Sequence, residues 1–292
     1  MPYLEQSLTS TPPSFDTLRV AVTGGTSGLG LALVRALVDR GARVAFVARG
    51  RERVARVAEK HPGAHGVVGD VSAKDDIHPI ALQILGELGG VDVLINNASD
   101  LGPTPLALLG DTDCEDLERA FDTNVVGPFR LTKALLGSLA SSAREGKGGI
   151  VLNVSSDAAI NAYPTWGAYG ASKAALHHLS RIWNEELATE GVHILSIDPG
   201  DMDTPMHAAA MPDADPATLK RPETAADELL DAIARVLPVS NPAEAGSHVS
   251  QAGSHVSQAG SHVSQAGSHV SQAGSRVSQS HDEGHGTARG VR

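Results

Sequence analysis

Three side chains in the middle of the sequence have the types and spacing for proton transfer. Tyr169 and Lys173 stand four residues apart in a stretch with helical patterning, which puts both on one helix face. Ser156 closes an apolar, β-branched run thirteen residues before Tyr169. A phenol ordinarily ionises near pH 10, too high for efficient proton transfer at neutrality. An ammonium held close by favours the phenolate. A serine hydroxyl beside the pair can hold a substrate oxygen where negative charge develops. Taken alone, a Tyr/Lys pair at this spacing also fits ordinary helix packing with a solvated charge.

A second group of residues suits phosphate. TGGTSGLG, Thr23 to Gly30, lies between the first strand-like run and the first amphipathic helix. Gly24, Gly28 and Gly30 let the chain turn sharply and approach a phosphate with no Cβ in the way. A helix beginning near Leu29 offers free N–H groups and a positive dipole end to a pyrophosphate. A plain glycine-rich loop is the alternative, and its place between strand and helix weighs against it.

These residues need a frame, and the chain alternates as such a frame would. Short β-branched runs occur at 19–22, 44–47, 67–68, 91–95, 150–154 and 193–197, with Ala/Leu-rich stretches between them. In the first stretch Leu29, Ala32, Leu33, Ala36 and Leu37 fall on one helical face, and Gly41 follows as a C-terminal cap. Continuous apolar strands alternating with helices predict an α/β fold, a doubly wound parallel sheet of Rossmann type. A helix is expected around Thr224–Leu237. The organisation read from the chain is a loose arm over 1–16, one domain over 17–240, and a low-complexity tail over 241–292. In that tail AGSHVSQ recurs four times from Ala245 and a fifth time as AGSRVSQ ending at Gln279. Gly and Ser at each repeat and no large apolar side chain favour disorder.

Composition narrows the field further. The 292 residues carry a formal net charge of −11 and no basic run, against nucleic-acid binding. Aromatics are only 3%, so Ala, Val, Leu and Ile must build the core. The single cysteine, Cys114, has acidic neighbours that oppose a thiolate and reads as an ordinary helix-start residue. His248, His255, His262 and His269 recur every seven residues without Cys or carboxylate partners, and no metal site is assigned. No secretory signal and no membrane span is read, so the expected location is the cytoplasm.

TGGTSGLG, with its G-x3-G-x-G spacing, resembles the nucleotide-binding motif of the short-chain dehydrogenase/reductase family. Other pieces follow in that family's order: NNAS at 96–99, with Ser99 for the usual Gly, then Asn124, Ser156, Tyr169-x3-Lys173, and PGxxxT at Pro199, Gly200 and Thr204. The resemblance spans about 18–236. It implies NAD(P)-dependent hydride transfer between a nicotinamide and a carbonyl or alcohol. Tyr169 would then be general acid/base and Ser156 the carbonyl-oxygen holder. Lys173 would hold ribose hydroxyls and, with the positive nicotinamide, tune Tyr169, while Asn124 would support a water relay. The implied cofactor contacts are Gly24, Thr26, Ser27, Gly28, Leu29, Gly30, Arg49, Asp70, Val71, Asn97, Ala98, Tyr169, Lys173, Pro199, Gly200 and Thr204. Asp70 would touch adenine, though a helix N-cap is its blander role.

At the end of the second strand NAD-preferring relatives place an acid, whereas here Ala48 precedes Arg49, with Arg51 and Arg53 close behind. An arginine pairs with a 2′-phosphate, so NADP(H) is expected over NAD(H), which stays possible. The substrate is a small molecule not readable from sequence, under a lid expected over 202–222. A homodimer through helices near 116–136 and 166–187 is expected, with a tetramer open because the family's seventh strand is not evident; the first SHVS is the candidate for it. Two other readings keep the fold: a catalytically silent dinucleotide sensor, and an interaction protein whose repeats recruit a partner.

Overall fold

The computed structural model describes residues 15–238. The expected arm up to residue 14, the repeat tail and the possible seventh strand lie outside the described residues.

Six parallel strands form one sheet: β1 (Arg19–Thr23), β2 (Arg43–Ala48), β3 (Ala64–Val68), β4 (Val93–Asn96), β5 (Ile150–Val154) and β6 (His193–Ile197), in the order β3-β2-β1-β4-β5-β6. The helices are α1 (Gly28–Asp39), α2 (Arg51–Lys60), α3 (Ile77–Leu88), α4 (Cys114–Phe121), α5 (Gly127–Arg144), α6 (Gly167–Leu187), α7 (Pro205–Ala210) and α8 (Pro222–Ala234). The doubly wound α/β fold expected from the alternation is present, and each strand overlaps its expected run, although β3 starts three residues before its run 67–68 and β4 two residues after the start of 91–95.

Strand alternation divides the core. Val20, Val22, Val44 and Phe46 join the cluster that contains Leu33 of α1 and Leu229 of α8. Ala21, Ala45 and Val47 join the other, with Ile84 of α3 and Leu135 of α5. The first helix ends as its sequence suggests. Gly41 has φ +84°, its N–H donates to the Val38 carbonyl at 3.0 Å, and the Ala42 N–H donates to the Leu37 carbonyl at 3.0 Å. The folded body begins earlier than the expected arm boundary. Phe15 is buried, and the Arg40 guanidinium lies 5.5 Å from its ring centroid. Burying an aromatic ring outweighs the polar, Pro-containing character of the residues before it.

Strand order reverses between β1 and β4, and the carboxyl ends of the strands open a crevice there. Buried polar bonds fix both ends of this region. At the amino end, the Asp92 carboxylate accepts from the Arg19 guanidinium at 2.6 and 3.0 Å, the Arg19 main-chain N–H at 2.7 Å and the Ser142 hydroxyl at 2.6 Å. Nearer the site, Asn96 Nδ2 donates to Asn153 Oδ1, Asn153 Nδ2 to Ser180 Oγ, each at 2.8 Å, and Ser180 Oγ to the Leu176 carbonyl at 2.7 Å. This ladder ties β4 and β5 to α6, the helix that bears Tyr169.

Candidate active site

One cleft of about 610 Å³ opens over the carboxyl ends of the strands. Every residue singled out from the sequence as a catalytic or cofactor candidate lines it, except Asn124.

The glycine turn forms one end of the cleft. Gly24 has φ +73° and Gly28 φ +49°, conformations that an L side chain resists. A Cβ on Gly30 would collide with the Gly24 carbonyl oxygen, so α1 can approach the turn only with glycine there. Asn97 braces the turn from the end of β4. Its Nδ2 donates to the Thr23 carbonyl at 2.8 Å, and the N–H groups of Asn97 and Ala98 both donate to Thr23 Oγ1 at 3.0 Å. NNAS therefore has a structural task as well as a place at the cleft. At the start of α1 the first turn has no acidic residue, and the Ser27 side chain makes no capping bond. Its leading N–H groups are left for a ligand, and a pyrophosphate fits that cradle.

Arg49 and Arg53 line the cleft beyond β2. Arg49 is 74% exposed and lies 3.9 Å from an Asp70 carboxylate oxygen, a loose pair. Asp70 is not a helix cap: its Oδ1 accepts from the N–H of Ser72 at 2.9 Å and from its hydroxyl at 2.7 Å, closing a tight turn.

At the other end, α6 presents Tyr169 and Lys173, both buried. The Lys173 ammonium lies 5.5 Å from the Tyr169 ring centroid and donates to the Val154 carbonyl at 2.8 Å. Burial pushes its pKa down to about 8, with the Asp198 charge pulling upward. The phenol of the chain without nucleotide is shifted upward. Burial first, with the charges of Asp198 and Asp157 adding to it, pushes Tyr169 up to about 12, against the downward pull of hydrogen bonds with Ser156 and Ser99. Burial of the phenolate dominates the shift in the absence of nucleotide. Trp166 meets the Tyr169 ring edge-on at 5.7 Å and helps to fix its plane.

Ser156 follows β5 and accepts a hydrogen bond from the Ala158 N–H at 3.2 Å, while its hydroxyl donates to Asp157 Oδ1 at 3.2 Å. Tyr163 donates to the other Asp157 oxygen at 2.7 Å. Sequence reading did not single out this Asp157–Tyr163 pair, although both line the cleft.

Asn124 sits behind the wall in a π-helical turn, Asp122–Val126, between α4 and α5. Its Nδ2 donates to the Asp100 carbonyl at 2.7 Å and to Ser172 Oγ at 2.8 Å. Its Oδ1 accepts from the Ser99 hydroxyl at 3.0 Å and the Asp100 N–H at 2.8 Å. Both amide hydrogens and both lone pairs are thereby used. The Ser99 that stands where the resemblance has Gly is one of these partners.

The remaining wall comes from Pro199, Gly200 and the lid. Gly200 has φ +76°, and its N–H donates to Asp198 Oδ1 at 2.9 Å. Thr204 caps α7 by accepting from the His207 N–H at 3.2 Å, and a Cβ on Gly28 would stand 3.2 Å from its methyl group. Cys114 opens α4 and is exposed. Among the described residues no helix is long and apolar enough to cross a membrane, and no group of three or more His, Cys, Asp or Glu is placed to hold a metal ion.

Known proteins share this arrangement. The family described as short chain dehydrogenase matches residues 19–215. An oxidoreductase of Staphylococcus epidermidis is 31% identical over 186 residues, 63% of this chain and 78% of the relative. The solved 3-ketoacyl-(acyl-carrier-protein) reductase of Brucella melitensis, complexed with NADH, superposes with a TM-score of 0.70 at 26% identity, covering 75% of this chain and 92% of the other. Actinorhodin polyketide ketoreductase with NADPH superposes with a TM-score of 0.67 at 25% identity, covering 76% and 92%. With the family match running from β1 into the lid, the chain belongs to the short chain dehydrogenase family, oxidoreductases that work between alcohol and carbonyl groups.

Proposed function

We propose that this chain reduces or forms a carbonyl group using NADP(H), with Tyr169 as the general acid/base. The observation that supports it most is the meeting of Tyr169, Ser156 and buried Lys173 in the same cleft as the glycine cradle.

A nicotinamide bound there supplies or accepts the hydride. The chain's own residues do the rest. Ser156 Oγ orients a carbonyl oxygen towards Tyr169, giving up its 3.2 Å bond to Asp157 to do so. The Tyr169 hydroxyl, held protonated by burial, donates its proton to that oxygen as charge develops. The positive ring would add to the Lys173 ammonium in favouring the phenolate left behind. Lys173 uses one ammonium hydrogen on Val154, leaving two for ribose hydroxyls. With the Asn124 side chain saturated, any water it holds for a relay rests on its main chain.

The preference for NADP(H) is supported by Ala48 ending β2 with no acid, and by Arg49 and Arg53 at the cleft edge. A loosely paired, exposed guanidinium can turn to a 2′-phosphate. A cytoplasmic homodimer that takes a small carbonyl or alcohol completes the reading. The test is a panel of neutral ketones and aldehydes followed by loss of nicotinamide absorbance with NADPH and with NADH. Turnover with NADPH is expected for at least one of them; binding of nucleotide without turnover of any would favour the silent sensor.

A further inference from the structure

Lys220 does not line the cleft, yet it gathers the loop that does. Its main chain joins the segment after β6 as a parallel bridge opposite Met202: the Lys220 N–H donates to the Asp201 carbonyl at 3.1 Å, and the Asp203 N–H donates to the Lys220 carbonyl at 3.0 Å. Its ammonium donates to the Pro199 carbonyl at 3.0 Å and pairs with Glu228 at 2.6 Å. Glu228 belongs to α8, whose Leu229 and Leu230 are in the core. Residues 204–219 therefore leave and return through one neck; its returning side runs straight into α8 at Pro222, and the Lys220 side chain ties its outgoing side, at Pro199, to the same helix. Met206, His207 and Met211 on this loop face the cleft, and Thr204 rests against Gly28 of the cradle.

We propose that Lys220 is a positioning residue that pins the neck of the lid, keeping Thr204 and Met206 seated over bound nucleotide while taking no part in proton transfer. The proposal rests on the reading of the cleft as a nicotinamide-dinucleotide site. The main-chain bridge alone would leave the neck free to shear, since two hydrogen bonds at a partly exposed edge open readily. The ammonium adds two charge-assisted bonds that reach outside the loop, to Pro199 and to α8. With a side chain 31% exposed and a Glu228 partner 55% exposed, Lys220 can be replaced without opening the core.

The test compares the full chain with Lys220→Met and Lys220→Arg in two measurements. The first is hydrogen–deuterium exchange without nucleotide, which does not depend on what the cleft binds. Lys220→Met is expected to speed exchange across 201–219 by about tenfold or more while α6 stays unchanged. The second is NADPH affinity and dissociation rate, read by nicotinamide fluorescence. Lys220→Met is expected to weaken binding about tenfold, mainly through faster dissociation, with kcat within about threefold; Lys220→Arg should recover most of the loss. Unchanged exchange in the lid overturns the pin. So does faster exchange spread evenly over the chain, or nucleotide binding within about twofold of the parent despite a loosened lid. If the parent binds neither nucleotide while lid exchange still rises, the cleft reading has failed and the pin stands.

Discussion

Lys173 gives the sharpest energetic handle on the site. Its ammonium is fully enclosed, and burial holds its pKa at about 8 against an ordinary 10.5. Below pH 8 both the folded and the unfolded chain carry the proton, and the folded state bears the whole cost of the buried charge. Between pH 8 and 10.5 the folded state releases the proton while the unfolded state keeps it, so stability rises with pH. Tyr169, raised to about 12, acts in the opposite sense only above pH 10, where the unfolded phenol begins to ionise. The window from pH 8 to 10 therefore belongs to Lys173, and about two pK units there correspond to roughly 2–3 kcal/mol. Lys173→Met removes the titration. It also leaves the Val154 carbonyl without its donor, a loss of about 1–3 kcal/mol that does not vary with pH. The decisive quantity is thus the change in the parent-minus-variant difference, not its value at one pH. Urea unfolding of both proteins without nucleotide at pH 7, 8, 9 and 10 should show the parent gaining about 2–3 kcal/mol on the variant across the last two units. Parallel stability curves would refute the claim that this ammonium is buried at a cost.

Two further predictions concern the frame and the cofactor. Asp92 is pushed up by burial, but the hydrogen bonds from Arg19 and Ser142 outweigh this and hold its pKa below the ordinary value. Its stabilisation is present above the ordinary carboxylate pKa and lost as pH falls through the lowered one. Asp92→Asn should cost roughly 2–4 kcal/mol in urea unfolding at pH 7, leaving Arg19 without its charge partner, and a loss under about 0.5 kcal/mol would contradict this role. Arg49→Asp should move the ratio of kcat/KM for NADPH over NADH towards NADH by about tenfold or more, since an acid there repels a 2′-phosphate; an unchanged ratio would remove the proposed phosphate contact.

Much of this was legible in the sequence because the elements announce themselves by period. The β-branched runs that predict strands each overlap one of β1–β6, and Leu29, Ala32, Leu33 and Leu37 are buried on α1 as their spacing requires. TGGTSGLG could be placed because strand and helix flank it and because Gly24 and Gly28 need left-handed backbone. Long-range consequences were not legible. Nothing local in Asn124 tells that four hydrogen bonds will saturate its amide, and nothing local in Lys220 tells that its side chain will return to Pro199. The raised phenol of the chain without nucleotide was not legible for the same reason. The four-residue spacing of Tyr169 and Lys173 shows their nearness but not the depth of burial that decides the sign of the shift. A signal was available for the buried ladder: Asn96 and Asn153 interrupt otherwise apolar strand runs, and a polar residue in such a run needs a partner. Phe15, a large apolar residue closing a polar stretch, carried a similar signal that the arm boundary at 16 did not use.

The central claim is that the Tyr169 hydroxyl moves the proton while the rest of the cleft holds the nucleotide. Tyr169→Phe tests it most directly, by NADPH titration and by steady-state turnover of the best ketone on the same preparation. The account predicts binding within about threefold of the parent and turnover reduced by at least about a hundredfold, in keeping with the contribution of general acid catalysis. Turnover at the parental rate with nucleotide still bound would contradict it.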